Sequence, residues 1–350
     1  MKTITELCHT LPRFDEVAAA EARARWDSLA KPPGSLGLLE KVVVRLAGIT
    51  ATATPAIGRR VLLVCCADNG VARQKVSQAD ASVTVALARA LAEGQLCTCK
   101  MASLAGVHVM GIDMGMNEEV PALCNRRVAA GTADMSLGPA MTREEALTAI
   151  DHGYALARDC QARGYSLVAT GEVGIGNTTT SSAIAAILLG RPPSAVTGRG
   201  AGLCSAGVGK KVAIIERAIA VNGPDPVDPL DILAKLGGFD IAAMVGIYLG
   251  CAAHRLPVLV DGLISSVAAL LAKRLCPLAG YSMIASHVSA EPASVWLLEA
   301  LELEPMITAG LCLGEGSGCI AAIPLLDMAL KVYNDMIPLS ALVMGENNNG

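Results

Sequence analysis

Arg60-Val-Leu-Leu-Val-Cys-Cys-Ala-Asp-Asn-Gly70 is a largely apolar run of strand length that stops at a polar, glycine-containing turn. Such a run, flanked by turn residues, reads as a strand buried on both faces of a sheet. The same rhythm recurs at 107–113, 166–170, 257–261 and 281–286, with a sixth candidate around 306–313. Each run is followed by an Ala/Leu-rich stretch of helical character, so the pattern is that of successive βαβ units. The expected fold is α/β: a doubly wound, mostly parallel, Rossmann-like sheet. The distinctive residues sit where these strands end, at Asp68-Asn69-Gly70, Gly171-Glu172, Asp261-Gly262, Ser286-His287 and Gly314-Glu315. Open parallel sheets bind ligands outside the carboxyl ends of their strands, which aims these five loops at one crevice.

The 350 residues exceed one typical domain of roughly 100–200 residues. Residues 1–45 read as helical, with an Ala/Glu/Arg-rich stretch over 17–30 broken at Lys31-Pro-Pro-Gly34, and 319–337 read as a further helix containing Pro324. The expected organisation is a small helical subdomain from both termini (1–45 plus 319–350) and a parallel α/β catalytic domain (46–318). The closing Gly345-Glu-Asn-Asn-Asn-Gly350 is a polar tail expected to fray.

Apolar residues make up 53% of the chain and aromatics only 3%, so the core is built from Ala, Val, Leu and Ile and offers no stacking platform for bases. The mean hydropathy of +0.49 raises the question of a membrane, but the most apolar stretches are short or interrupted, at 256–272 by Asp261. No membrane partner is expected. The first residues show no sustained apolar run and no cleavage signature, which reads as cytoplasmic. A net charge of −4 without a basic block argues against nucleic acid and for small-molecule substrates. The twelve cysteines are scattered, and the five histidines lack His-Glu-x-x-His spacing, so no bound metal is expected. Most of the cysteines read as small buried hydrophobes in a reducing compartment.

Three segments carry the candidate chemistry. Leu313-Gly-Glu-Gly-Ser-Gly318 places Glu315 between glycines that bare the backbone and let the side chain project into a cleft as a base. A turn whose Glu caps the next helix is the alternative reading. Gly171-Glu-Val-Gly-Ile-Gly-Asn-Thr-Thr-Thr-Ser-Ser182 follows a strand and opens a helix at 183–189, bringing backbone N–H groups and hydroxyls to a helix N-terminus suited to an anion. It is neither a Gly-x-Gly-x-x-Gly fingerprint nor a Walker A loop. Thr197-Gly-Arg-Gly-Ala-Gly-Leu203, followed by a helix expected over 212–221, adds flexible turns, with Lys211 and Arg199 as candidate phosphate clamps.

Seven motifs, in order, resemble those of the nicotinate-nucleotide:dimethylbenzimidazole phosphoribosyltransferases. They are Lys31-Pro-Pro-Gly-Ser-Leu-Gly, Cys66-Ala-Asp-Asn-Gly-Val, Gly171-Glu-Val-Gly-Ile-Gly-Asn-Thr-Thr, Gly237-Gly-Phe-Asp, Pro257-Val-Leu-Val-Asp-Gly, Ser286-His-Val-Ser-Ala-Glu and Leu313-Gly-Glu-Gly-Ser-Gly. The resemblance covers nearly the whole chain. It implies a pentosyltransferase of cobamide synthesis that moves phosphoribose from nicotinate mononucleotide to the lower-ligand base, with inversion at C1′. Nicotinate mononucleotide is then a substrate and no cofactor is needed. The resemblance makes Glu315 the general base and sets Glu172 and Asp261 near C1′. It lays the phosphate against Gly174, Gly176, Asn177, Thr178, Thr179, Gly200, Lys211 and Ser289, with Gly314 also at the substrate. It further implies a dimer, either a homodimer or a heterodimer with a similar subunit.

Two departures bear on the acceptor. The family's Ala-Asp-His-Gly is here Ala67-Asp68-Asn69-Gly70, and within Lys75-Val-Ser-Gln-Ala-Asp-Ala-Ser-Val-Thr-Val-Ala-Leu87 the residues Ala79, Asp80, Ala86 and Leu87 replace the usual hydroxyl, Pro and Gln/Met residues. The expected acceptor pocket, formed by Asn69, Ala79, Ala86, Leu87 and Leu313, is therefore less polar than usual. That keeps a phenol or p-cresol open beside a dimethylbenzimidazole-like acceptor. A weakly active or non-catalytic partner subunit is the alternative.

Overall fold

The fold is seen in a computed structural model, which describes residues 4–346; the end of the expected polar tail, 347–350, lies outside the described residues. Six parallel strands form one sheet in the order β3-β2-β1-β4-β5-β6. They are β1 (Arg60–Ala67), β2 (Val107–Gly115), β3 (Cys124–Asn125), β4 (Leu167–Val173), β5 (Val258–Val260) and β6 (Met283–Ala285). The chain is a doubly wound α/β protein.

The expected sixth strand at 306–313 is not formed. That segment makes an isolated parallel bridge, His287 to Ile307, and backbone bonds from Val288 to Ile307 and from Ala290 to Leu311. Gly310, at φ +67°, lies between those two bonds and interrupts the extended run. The sixth strand lies instead at the opposite edge, where Cys124–Asn125 pairs with Ile112 and Asp113 of β2.

Pleating of β1 divides the core in two, since successive side chains point to opposite faces. Val61, Leu63 and Cys65 face a cluster with α6 (Arg143–Ala162), α11 (Phe239–Ala253) and α12 (Leu263–Leu275), whereas Leu62, Val64 and Cys66 face the other helical layer. That second layer brings both ends of the chain together through α2 (Glu16–Ser28), α3 (Leu38–Thr50) and α14 (Ser317–Asp335). The Trp26 and Tyr333 rings lie 5.1 Å apart, and Arg25 donates to the Tyr333 carbonyl at 2.9 Å. Asp15 caps α2 by accepting from Ala18 N–H, and Pro324 lies within α14 without ending it. Helix α1 (Ile4–Thr10) packs on the other side, where Leu7 joins the α11–α12 cluster.

Helices α6 and α11 touch backbone to backbone. A Cβ on Gly153 would stand 1.9 Å from the Ala243 carbonyl oxygen, and one on Gly246 would stand 1.9 Å from that of Ile150. Gly153→Ala is therefore expected to destabilise the protein by about 1–3 kcal/mol through overpacking. Gly209→Ala should do the opposite, by up to about 1 kcal/mol, because Gly209 lies exposed within helix α9 (Ser205–Asn222) with nothing near its missing Cβ. Urea unfolding of the two variants checks both signs.

Candidate active site

The carboxyl ends of β4, β5 and β6 open into a cavity of about 170 Å³. Its floor is set by a backbone contact. Gly171 in β4 lacks a side chain where a Cβ would come within 2.7 Å of the Glu315 carbonyl, so the 314–316 turn rests directly on the strand. All three turn residues are left-handed: Gly314 at φ +84°, Glu315 at +60° and Gly316 at +79°. For a glutamate this conformation costs on the order of 1 kcal/mol, so the surroundings must hold it. The Ser317 N–H donates to the Gly314 carbonyl at 3.0 Å, and the Cys319 N–H donates to Asp261 Oδ1 at 3.0 Å.

Most of the residues expected from the sequence converge here. Glu172, Gly174, Gly176, Asn177, Thr178, Gly200, Asp261, Ser289, Gly314 and Glu315 line the cavity, as do Leu87 and Leu313 of the expected acceptor pocket. Helix α7 begins at Asn177 (Asn177–Leu189), earlier than expected, so its amino end faces the cavity. Helix α9 likewise begins at Ser205, which places Lys211 inside it, fully buried behind Thr178, with Nζ donating to Thr178 Oγ1 at 2.8 Å. Arg199 is exposed on the loop before α9.

Four other expected residues do not line the cavity. Thr179 turns into the core, one step around α7 from Thr178. Ala86 is exposed, because helix α4 (Ser82–Ala92) turns Leu87 toward the cavity and its neighbour away. Ala79 is half-buried off the cavity, and Ser77 takes the lining position in that segment. Asn69 is buried behind the cavity, in a space left by two glycines: a Cβ on Gly174 would lie 3.1 Å from its Nδ2, and one on Gly238 would lie 2.3 Å from its Oδ1.

Sequence reasoning aims the Ser286-His287 loop at the crevice and includes Glu291 and Asp240 in its motifs, but it assigns none of His287, Glu291 and Asp240 a role. His287 and Glu291 line the cavity, and Asp240 is fully buried in the first turn of α11. The signal for Asp240 is an acidic residue that closes the Gly237-Gly-Phe-Asp motif, and for His287 and Glu291 it is their place in Ser286-His-Val-Ser-Ala-Glu just after a strand. Position alone does not separate them from capping residues.

The electrostatics are dominated by buried carboxylates. Burial pushes Glu172 well above the usual carboxylate range, and Asp240 and Asp261 push it further, while the Asn177 amide opposes them. The same amide donates to Asp240 Oδ2 at 3.2 Å, and burial raises Asp240 to about 6. Asp261 is raised by burial and held back by His287, whose Nδ1 lies 3.9 Å away. Glu315 is also raised by burial, with Asp261 adding to the shift and the Thr98 backbone N–H opposing it. Its Oε2 is buried and has no hydrogen-bond partner among the described residues. Behind Thr178, burial lowers Lys211 to about 8, and Glu291 pulls it back up. The cavity thus brings buried carboxylates together with the start of α7, behind which lies the Lys211 ammonium.

Comparison with known proteins settles the lineage. Residues 11–341 match the sequence profile of a family described as phosphoribosyltransferase. A nicotinate-nucleotide–dimethylbenzimidazole phosphoribosyltransferase of Ruminiclostridium cellulolyticum is 40% identical, with 95% of this chain and 96% of that protein covered. One from Roseiflexus sp. is 42% identical, with 96% of each covered. The chain belongs to the nicotinate-nucleotide–dimethylbenzimidazole phosphoribosyltransferase family. It is a phosphoribosyltransferase with that family's fold. The crystal structure of CobT from Thermus thermophilus superposes with a TM-score of 0.89 at 38% identity, covering 93% of this chain and 98% of that one. Among the described residues no helix is long and apolar enough to cross a membrane.

The raised carboxyls of this phosphoribosyltransferase make stability depend on pH with a definite sign. A carboxyl whose pKa is higher folded than unfolded binds its proton more tightly in the folded chain. Its contribution favours folding below pH 4 and is lost as pH rises through about 6, the value for Asp240. Replacing Asp240 by Asn removes that loss. The melting temperature of Asp240→Asn minus that of the wild type should therefore increase from pH 4 to pH 7, as thermal unfolding in a pH series would report.

Proposed function

We propose that the protein transfers phosphoribose from nicotinate mononucleotide to the lower-ligand base of a cobamide. The reaction inverts C1′ and yields an α-riboside 5′-phosphate and nicotinate. The observation that carries this reading is the Glu315 carboxylate, raised by burial and with one oxygen unpartnered among the described residues, in the lining of a cavity that also takes in the start of α7, with Lys211 behind Thr178. The names of the relatives supply a nicotinate-nucleotide donor and dimethylbenzimidazole as an acceptor.

The chemistry fits one base. An acceptor lone pair forms the new bond to C1′ while the C1′–N bond to the pyridinium breaks, and its electron pair neutralises the departing ring. The leaving group therefore needs no proton. The acceptor does lose one, from the ring N–H of a benzimidazole or the hydroxyl of a phenol, and Glu315 takes it. Glu172 and Asp261 also line the cavity and, in their ionised forms, supply negative potential where C1′ becomes cationic. The phosphate lies toward Gly174, Gly176, Thr178, Gly200, Lys211 and Ser289.

Leu87, Leu313 and Ser77 give the acceptor a mostly apolar surround, which suits a benzimidazole or a phenol. The non-catalytic partner reading draws less support, because Asn69, one of the departures that motivated it, stands behind the cavity and not at its mouth.

Glu315→Gln should lower the rate of nicotinate release by about 10²-fold or more without changing the circular dichroism spectrum. A variant with the wild-type rate would refute the role of Glu315. Incubation with nicotinate mononucleotide and an equimolar mixture of dimethylbenzimidazole, phenol and p-cresol, read by mass spectrometry, identifies the acceptor. The benzimidazole riboside is the expected main product, and an O-linked riboside would establish the phenolic alternative.

A further inference from the structure

Glu291, on the cavity wall, has no part in the transfer step and carries the wrong charge for a phosphate site. Its Oε1 accepts from the Gly200 N–H at 2.9 Å, and its Oε2 is buried without a hydrogen-bond partner among the described residues. Two glycines make room for this. A Cβ on Gly198 would lie 1.9 Å from Glu291 Oε2, and one on Gly200, at φ +51°, would lie 2.8 Å from Thr178 Oγ1 and 3.4 Å from Lys211 Nζ. The Gly200 N–H, the Thr178 hydroxyl and the Lys211 ammonium thus form one nest of donors, and Glu291 occupies one of them.

We propose that Glu291 is the resident anion of the phosphate subsite: it holds the Gly200 N–H and faces Lys211 while the site is empty, and the phosphate monoester competes with it for both. The name of the nucleotide rests on the donor reading above, but the competition concerns any phosphate dianion. A carboxylate in this place weakens phosphate binding by like-charge repulsion and so eases release of the phosphorylated product. It also keeps the glycine loop 198–202, which Gln78 Nε2 ties down further by donating to the Gly202 carbonyl, in a shape ready for the ligand.

The surroundings leave Glu291 as the charge that acts on Lys211. Helix α7 and α8 (Pro193–Val196) carry no ionisable side chain, and Arg199, Lys210, Glu216 and Arg217 lie on the exposed side of the loop and helix. On α10 (Pro229–Leu236), Asp231 and Lys235 pair with each other at 2.8 Å. Burial lowers Lys211 to about 8 and Glu291 raises it, so removing the carboxylate charge lowers it further. Phosphate affinity should fall as Lys211 loses its proton, and in Glu291→Gln that fall should begin at a lower pH.

Calorimetric titration of the whole protein with inorganic phosphate, and separately with nicotinate mononucleotide, from pH 6.5 to 9 at low ionic strength tests this. Both proteins see the same ionisation of phosphate, so the difference between them isolates the side chain. Glu291→Gln keeps an acceptor for Gly200 and should bind phosphate about fivefold more tightly at pH 6.5. The advantage should shrink toward pH 9. Should that variant fail to fold, Glu291→Asp retains the charge but withdraws it, and its phosphate affinity should still exceed that of the wild type. Phosphate affinity that is unchanged or weaker, with an unshifted pH dependence, would overturn the proposal. So would a loss confined to the nucleotide, which would make Glu291 a ribose-hydroxyl acceptor. Phosphate competition without any transfer from the mononucleotide would retire the donor reading and leave this inference standing.

Discussion

The site depends on one close approach between backbones. Gly171, in the middle of a buried strand, has no side chain, so the turn carrying Glu315 can lie directly on β4. Any Cβ there would displace the turn. The left-handed glutamate is then pinned by the bond from Cys319 N–H to Asp261, which joins the turn to the end of β5. Glu315, Glu172 and Asp261 are consequently held by three neighbouring pieces of chain fixed to one another, and their spacing is a property of the sheet. The strain in the turn is small beside the packing that enforces it.

From that arrangement the electrostatics follow. Carboxylates taken out of water near the strand ends are raised by burial, Asp240 and Asp261 raise Glu172 further, and the Asn177 amide, shared between Glu172 and Asp240, offsets only part of the effect. A site that must take a proton and tolerate a transient cation benefits from carboxylates that are poorly solvated, since each interaction inside is stronger than it would be in water. Lys211 follows the same rule with the sign reversed. Lys211 is buried with a hydroxyl as its hydrogen-bond partner, and the balancing charge that acts on it is Glu291.

Much of this was legible in the sequence, for identifiable reasons. The run 60–67 coincides with β1 because an uninterrupted apolar stretch between turn residues has few other uses in an α/β chain. Strand β4 continues to Val173, beyond the expected 170, because Gly171 and Glu172 do not look like strand residues; their reason for being there is tertiary. The two-residue β3 has no hydrophobic signature at all, whereas 306–313 has one and pairs only through a single bridge. Within the site, the loop residues 172–178 and 313–315 converge as expected, since glycine-rich loops after strands constrain where a chain goes. Thr179 and Ala86 depart for a common reason: each lies on a helix one residue from a position that does face the cavity, and helical phase is not fixed by a motif. Asn69 departs because its orientation depends on Gly238, far away in sequence.

The central claim is that Glu315 takes the proton of the acceptor, and the pH dependence of transfer addresses it most directly. At saturating nicotinate mononucleotide and acceptor, the wild-type rate should rise with pH along an acid limb whose midpoint lies above the ordinary glutamate value, because burial raises Glu315. That limb should vanish in Glu315→Gln, leaving a slow, flat profile. An acid limb that persists unchanged in the variant would contradict the account and assign the proton to another group.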